Sequence, residues 1–294
     1  MMDDSIKIRI SNQIFKYEVR LPSSGLDDNT FTLDFFDGKY RQDDLVGLIR
    51  DVVPYFSLTA DEMRELDPSE INKRSFTRIS DARRQAKGDY GELMLFLILS
   101  IFYDVPKFVT KARLRSTTRE QIKGFDCAHF SVENDKITLW LGEAKFHQSI
   151  SGAISSALSS LTDHLNDKSR IASELKLLGG EIEINKTLDR KLYLQLKSYV
   201  DGGKSLDSVE IAVPVLLTYD SKYIGQCCGK GKVSMDKDPF LSELGTELTK
   251  HFEDIYKKAW PKDSNIKLVF FLFPFENVAK LKENIELVEQ AMKF

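Results

Sequence analysis

The stretch Ile137–Phe146, ITLWLGEAKF, is an apolar run that ends in two opposite charges spaced two residues apart. Side chains alternate faces along a strand, so Glu143 and Lys145 project from one face, about 7 Å apart. Upstream, Gly124–Val132 (GFDCAHFSV) is a second apolar run that carries Asp126, and the polar Glu133–Lys136 joins the two. The pattern reads strand, turn, strand. Paired as a hairpin, these strands bring Asp126, Glu143 and Lys145 to one end, placing two carboxylates and an ammonium around one point. Such a cluster is either a metal site with a catalytic lysine or a salt-bridged structural feature.

The chain of 294 residues is long enough for one large domain or two modest ones. Its 42% hydrophobic and 30% charged residues are those of a soluble globular protein. A formal charge of -3 supplies no global attraction to nucleic acid, so any such binding rests on a local basic surface. The three cysteines, Cys127, Cys227 and Cys228, form neither a spaced zinc pattern nor an even disulfide framework. Reduced thiols in a cytoplasmic protein are the simplest reading. The N-terminus, MMDDSIKIRI, lacks the charged start and apolar block of a signal peptide, so export is not expected. Leu93–Tyr103 is about half the length of a spanning helix and predicts a buried helix, with no membrane partner.

Along the chain, Ile6–Leu21 alternates apolar and polar residues, which predicts one or two strands, and Thr30–Phe36 predicts another. Short helices are expected over Asp43–Val53 and Ala60–Leu66, the second capped by Thr59. Residues 1–75 read as an α+β region without a nameable motif, and the polar, basic Ser69–Lys87 is the candidate boundary before residues 76–294. A helix is predicted over Asp89–Tyr103, apolar almost all round, with Glu92 in its first turn. That acid reads as a helix-dipole partner or as a further member of the hairpin cluster.

Lys107–Arg115 predicts a strand with Lys111, Arg113 and Arg115 on one face, either a solvated edge or a surface that tracks phosphates. Lys123 and Arg119 add to the local charge. Ser149–Leu165 reads as a helix rich in small residues that Ser149 or Ser151 caps, its backbone N–H groups directed toward an anion near the cluster. Helices are expected at Lys168–Leu178, Leu188–Val200, Pro239–Trp260 and Glu276–Met292, strands at Val209–Thr218 and Ile266–Phe273, and a loop at Gly225–Lys232. Strands alternating with helices predict a mixed α/β sheet covered by helices.

An acid, any residue, then lysine is a cheap pattern, and it recurs at Asp37 and Lys39, Glu174 and Lys176, and Asp220 and Lys222. Only the Glu143 copy closes an apolar strand beside a second acid. Asp126 and Glu143 are hard oxygen ligands suited to Mg²⁺ or Mn²⁺, and an adjacent ammonium suits the charge of a phosphodiester under attack. Metal-assisted phosphodiester hydrolysis is the matching reaction class. Of the nearby histidines, parity places His147 on the face of Glu143 and Lys145 and turns His129 away, while Cys127 reads as a small core residue.

The order Glu92 in GDYGELMLF, Asp126 in KGFDCAHF, and Glu143 with Lys145 in LGEAKF resembles the PD-(D/E)XK nuclease superfamily, across roughly Lys87–Thr218. That resemblance implies a restriction-endonuclease-like α/β core with Glu92, Asp126, Glu143 and Lys145 as catalytic residues, the three acids as metal ligands and Gln148 as a further matching residue. Gly-Phe-Asp stands where the superfamily often has Pro-Asp. More narrowly, the whole-chain layout resembles the HamA-type nuclease subunit of the Hachiman anti-phage defence system. This implies a Mg²⁺-dependent DNA nuclease paired with a HamB-type helicase subunit. Two other readings stand beside it, a non-catalytic nucleic-acid or partner-binding module of the same fold, and a buried ionic network that fixes strand register.

Overall fold

The computed structural model describes residues 2–18, 29–79, 88–103, 105, 107–110, 125–133, 136–165, 171, 194–195, 197–199, 203, 209–228, 238–258 and 266–293. The chain opens with helix α1 (Asp4–Ser11), strands β1 (Ile14–Glu18) and β2 (Asn29–Leu33), and a small hairpin of β3 (Phe35–Phe36) and β4 (Lys39–Tyr40). Helices α2 (Gln42–Ser57), α3 (Ala60–Glu65), α4 (Pro68–Thr77) and α5 (Asp89–Phe102) come next. Strands β5 (Lys107–Thr110), β6 (Cys127–Glu133) and β7 (Lys136–Phe146) lead to helix α6 (Ile150–Leu165). The remainder is β8 (Glu210–Asp220), α7 (Lys222–Cys227), α8 (Asp238–Tyr256), β9 (Ile266–Phe275) and α9 (Val278–Met292).

Among the described residues, seven strands form one mixed sheet in the order β1-β2-β9-β8-β7-β6-β5. β2, β9, β8 and β7 run parallel, while β1, β6 and β5 are antiparallel to their neighbours. A mixed sheet flanked by helices is the architecture expected from the alternation of elements. β8 is buried along nearly its whole length, as its unbroken apolar run IAVPVLL requires of a strand covered on both faces.

Glycines show which helix covers which face. A Cβ added at Gly91 of α5 would stand 3.3 Å from the Cβ atoms of Ala144 and Phe146, and one at Gly142 would fall 2.7 Å from Leu95 Cδ2. Helix α5 therefore packs on the face of β7 that carries residues 142, 144 and 146. On the other face, where Glu143 and Lys145 project, lie α6 and α8, the latter seating His251 against Tyr219 and Tyr256 against Phe270. Strands β1 and β2 extend the sheet beyond β9, and the Phe31 ring of β2 packs against those of Phe102, Phe271 and Phe273, so the described part of residues 1–75 shares the main core.

Two local expectations change. Residues 4–11 form a helix rather than a strand. The alternation IKIRI also places Ile6 and Ile10 four apart on one helical face; Asp3 caps the helix by accepting from Ser5 N, Ile10 is buried and Ile8 is turned outward, 61% exposed. Over residues 225–227 the expected loop is instead the end of α7, which Ser221 caps through Ile224 N, while residues 229–232 of that expectation lie outside the described residues. At Thr59 the expected cap is present as a reciprocal capping box with Glu62.

Candidate active site

β6 and β7 pair as the expected antiparallel hairpin, in register from Glu133 opposite Lys136 to Cys127 opposite Gly142. Asp126 lies one residue before β6 and continues the ladder, its N–H donating to Gly142 O at 2.9 Å. Its carboxylate then accepts from Ala144 N at 2.7 Å, which pins it across β7 beside Glu143. The structure thus brings Asp126, Glu143 and Lys145 together at the C-terminal end of a central strand. In open α/β sheets that end is where ligands bind.

Glu143 is 1% exposed, and Lys145 Nζ pairs with its Oε1. Burial is the main cause that raises the Glu143 pKa, the Asp126 charge adds to it, and Lys145 and the Ser160 hydroxyl of α6 act in the opposite direction. The net direction is upward, because burial of the carboxylate and the neighbouring Asp126 charge outweigh the Lys145 and Ser160 contributions. Among the described residues, Glu143 Oε2 is buried with no hydrogen-bond partner. A buried carboxylate oxygen without a donor is costly unless something cationic meets it.

This donor set fits a hard divalent ion. Among the described residues no group of three or more His, Cys, Asp or Glu is placed to hold a metal, so Asp126 and Glu143 stand as a pair. Magnesium is commonly held by one or two carboxylates together with waters and substrate phosphate.

Glu92 is 5% exposed in the first turn of α5. Its neighbour Gly91 abuts Ala144 and Phe146, so Glu92 is held at the same end of β7 but from the helix on the opposite face. Ser149 caps α6, accepting from Gly152 N at 3.3 Å, and its hydroxyl lies 2.9 Å from that of Ser151. Both serines are exposed. Lys111, Arg113, Arg115 and Lys123 lie outside the described residues. Cys127 is a buried core residue behind Gly142, and His129 is fully buried and stacked on Phe96 of α5, both turned away from the cluster.

Sequence reasoning missed Ser160 and Lys282. Ser160 was one of the small residues of the α6 stripe, and only packing shows which of them reaches Glu143. Lys282 of α9 lies 136 positions beyond Phe146, yet its Nζ donates to Phe146 O at 2.6 Å and sits 4.7 Å from the centre of the Phe146 ring. It also faces Asp220 and, with Lys145, opposes protonation of His147, whose pKa burial already lowers.

Fold and site together define a mixed α/β protein with a cluster of two acids and a lysine, Glu143 buried and Asp126 and Lys145 half-buried, at the C-terminal end of a central strand. A sequence model of the HamA family matches residues 9–287, nearly the whole chain, and the chain therefore belongs to the HamA family. That membership supports a role in Hachiman anti-phage defence. No curated protein matches the chain. Among the described residues no helix is long and apolar enough to cross a membrane.

Proposed function

We propose that this HamA-family chain is a divalent-metal-dependent DNA nuclease that cleaves phosphodiester bonds during anti-phage defence, in the cytoplasm and under the control of a helicase partner of the HamB type. The observation that carries the reading is the Asp126, Glu143 and Lys145 cluster, in which two carboxylates and an ammonium meet at a strand end and, among the described residues, Glu143 Oε2 is buried without a donor.

Asp126 and Glu143 are the residues that would hold Mg²⁺ or Mn²⁺, with Glu92 in support. When bound, the ion supplies Lewis-acid stabilisation of the negative charge that develops on the phosphate. Asp126 is pre-oriented by the Ala144 amide, so its position costs no reorganisation on substrate binding. Lys145 is steered by Glu143 and keeps donors free for the attacking water and a phosphate oxygen, acting as a point charge. Water oxygen bonds to phosphorus as the bond to the leaving oxygen breaks, and the leaving oxygen gains a proton. Ser149, Ser151 and the amides that open α6 offer contacts for a neighbouring phosphate, and Lys111, Arg113, Arg115 and Lys123 would follow the DNA backbone.

Cleavage of plasmid and short oligonucleotides, with and without the helicase partner, tests the reading. Wild type cleaves in Mg²⁺, chelator abolishes cleavage, and Glu143→Ala and Lys145→Ala are folded and inactive. Cleavage that persists in both variants overturns the assignment. Salt-dependent DNA binding without turnover in any divalent metal assigns the chain instead as a binding module.

A further inference from the structure

The C-terminal helix reaches the candidate site from outside at two points. Lys282 donates to the carbonyl of Phe146, the residue that follows Lys145, and covers the Phe146 ring. Two helical turns later on the same face of α9, Glu289, 3% exposed, accepts from the Tyr90 hydroxyl, two residues before Glu92. A second bond, from Lys293 Nζ at 2.7 Å, holds the Glu289 carboxylate in place.

The start of α9 is itself tied to the end of β8. Asp220 accepts from Val278 N at 2.7 Å, Asp220 N donates to Gln148 O at 2.9 Å, and Asn277 caps the helix through Lys280 N at 2.8 Å. One rigid element thus spans the end of β8, the end of β7 and the first turn of α5. Phe146, the last residue of β7, pairs with Thr218 of β8, and a charged donor on its carbonyl further restricts the Phe146–His147 peptide, one residue beyond Lys145. Tyr90 has the same relation to Glu92, since both lie in one helical turn.

We infer that α9 is a brace for the reactive geometry, with Lys282 and Glu289 as positioning residues, the first for Lys145 through Phe146 and the second for Glu92 through Tyr90. The inference rests on the hydrolase reading for its kinetic consequence and on geometry alone for its structural one. Lys282 and Glu289 touch no reacting atom; each acts through a neighbour. Displacement of an active-site group by about 1 Å can cost on the order of 100-fold in rate, so two hydrogen bonds at this distance from the chemistry are sufficient to matter.

The test uses the full chain with three substitutions. Lys282→Met keeps the apolar stem and removes the ammonium, Lys282→Arg restores a cationic donor, and Tyr90→Phe removes one hydroxyl. Hydrogen exchange and steady-state cleavage in Mg²⁺ are measured side by side. In Lys282→Met the amides of residues 145–148 exchange faster while those of β9 keep wild-type protection, and kcat falls by about 10-fold to 100-fold with KM for DNA nearly unchanged. Lys282→Arg recovers most of both. Tyr90→Phe loosens the amides of Gly91 and Glu92 and lowers kcat by a smaller factor.

Wild-type exchange and kcat in Lys282→Met overturn the brace. A change confined to KM assigns Lys282 to DNA contact and overturns it as well, as does loosening of the whole chain. If wild type cleaves no DNA the hydrolase reading fails by itself, and exchange still decides the brace: faster exchange restricted to the two braced segments supports it, and any other pattern overturns it.

Discussion

Two neighbouring parallel strands, β7 and β8, both end in an acid, one residue and a lysine, and the two copies have opposite fates. In β7 the strand continues through Glu143, Ala144 and Lys145, so both charges stay on one face and are drawn under α6. In β8 the strand stops at Asp220, Ser221 caps a new helix, and Lys222 leaves for solvent. Asp220 turns to cap α9 through Val278 N, with Lys282 opposing the rise that burial causes in its pKa. Spacing is equal in both; what differs is whether the backbone stays extended past the acid and whether a second acid stands across the ladder. In the copy at Asp37 and Lys39 the acid falls in the β3–β4 turn, with φ of 49° at Asp37 and 70° at Gly38, and Lys39 opens β4, so the two share no strand face.

The largest expected contrast is in catalysis. Lys145→Ala lowers DNA cleavage by at least about 100-fold, the scale of losing one preorganised electrostatic group, whereas Lys222→Ala leaves it unchanged. Equal effects in a cleavage assay would erase the distinction between the two strand ends.

The next contrast is in packing. Gly142→Ala places a methyl against Cys127 Sγ and 2.7 Å from Leu95 Cδ2, between β7 and α5. Overpacking of this kind costs about 1–3 kcal/mol, and a denaturant melt with wild-type stability would mean that α5 does not press on β7 at the site.

A pH experiment separates a metal site from a register-fixing ion pair. The folded pKa of Glu143 lies above its ordinary value of 4.5, so the folded state holds the proton more tightly than the unfolded chain. Stability from this group is intact below about 4.5 and is lost as pH rises toward the folded value. Glu143→Gln, measured without divalent metal, therefore raises the melting temperature at neutral pH and loses that advantage in acid. A register-fixing pair predicts the reverse, a loss of about 3–5 kcal/mol at neutral pH.

The smallest effect belongs to the β8 copy. Asp220→Ala removes the acceptor for Val278 N and costs about 1 kcal/mol in a thermal melt, the ordinary worth of a helix cap. A loss several times larger would give Asp220 a role beyond capping.

Much of this arrangement was legible in the chain. The runs GFDCAHFSV and ITLWLGEAKF specify a hairpin because apolar alternation and a polar break leave few other pairings, and the parity of a strand puts Glu143 and Lys145 on one face. The same parity turned His129 toward the α5 side, where it stacks on Phe96. The N-terminal IKIRI satisfies both periods, so alternation predicts a strand where a helix forms, and only the seating of Ile10 in the core resolves it.

By itself the sequence determined the alternation of elements, the hairpin, the facing of its charged pair and the Thr59 cap, since each depends on residues within a few positions of one another. Tertiary structure decided the rest: that α5 and α6 take opposite faces of β7, that Ser160 and not another serine reaches Glu143, and that Lys282 returns to Phe146. Those contacts join residues that no local periodicity relates, and they exist only because the sheet fixes where each helix lies. The acid, acid and lysine were written in one short stretch, but the burial of Glu143, whose Oε2 has no donor among the described residues, came from the layers packed around it.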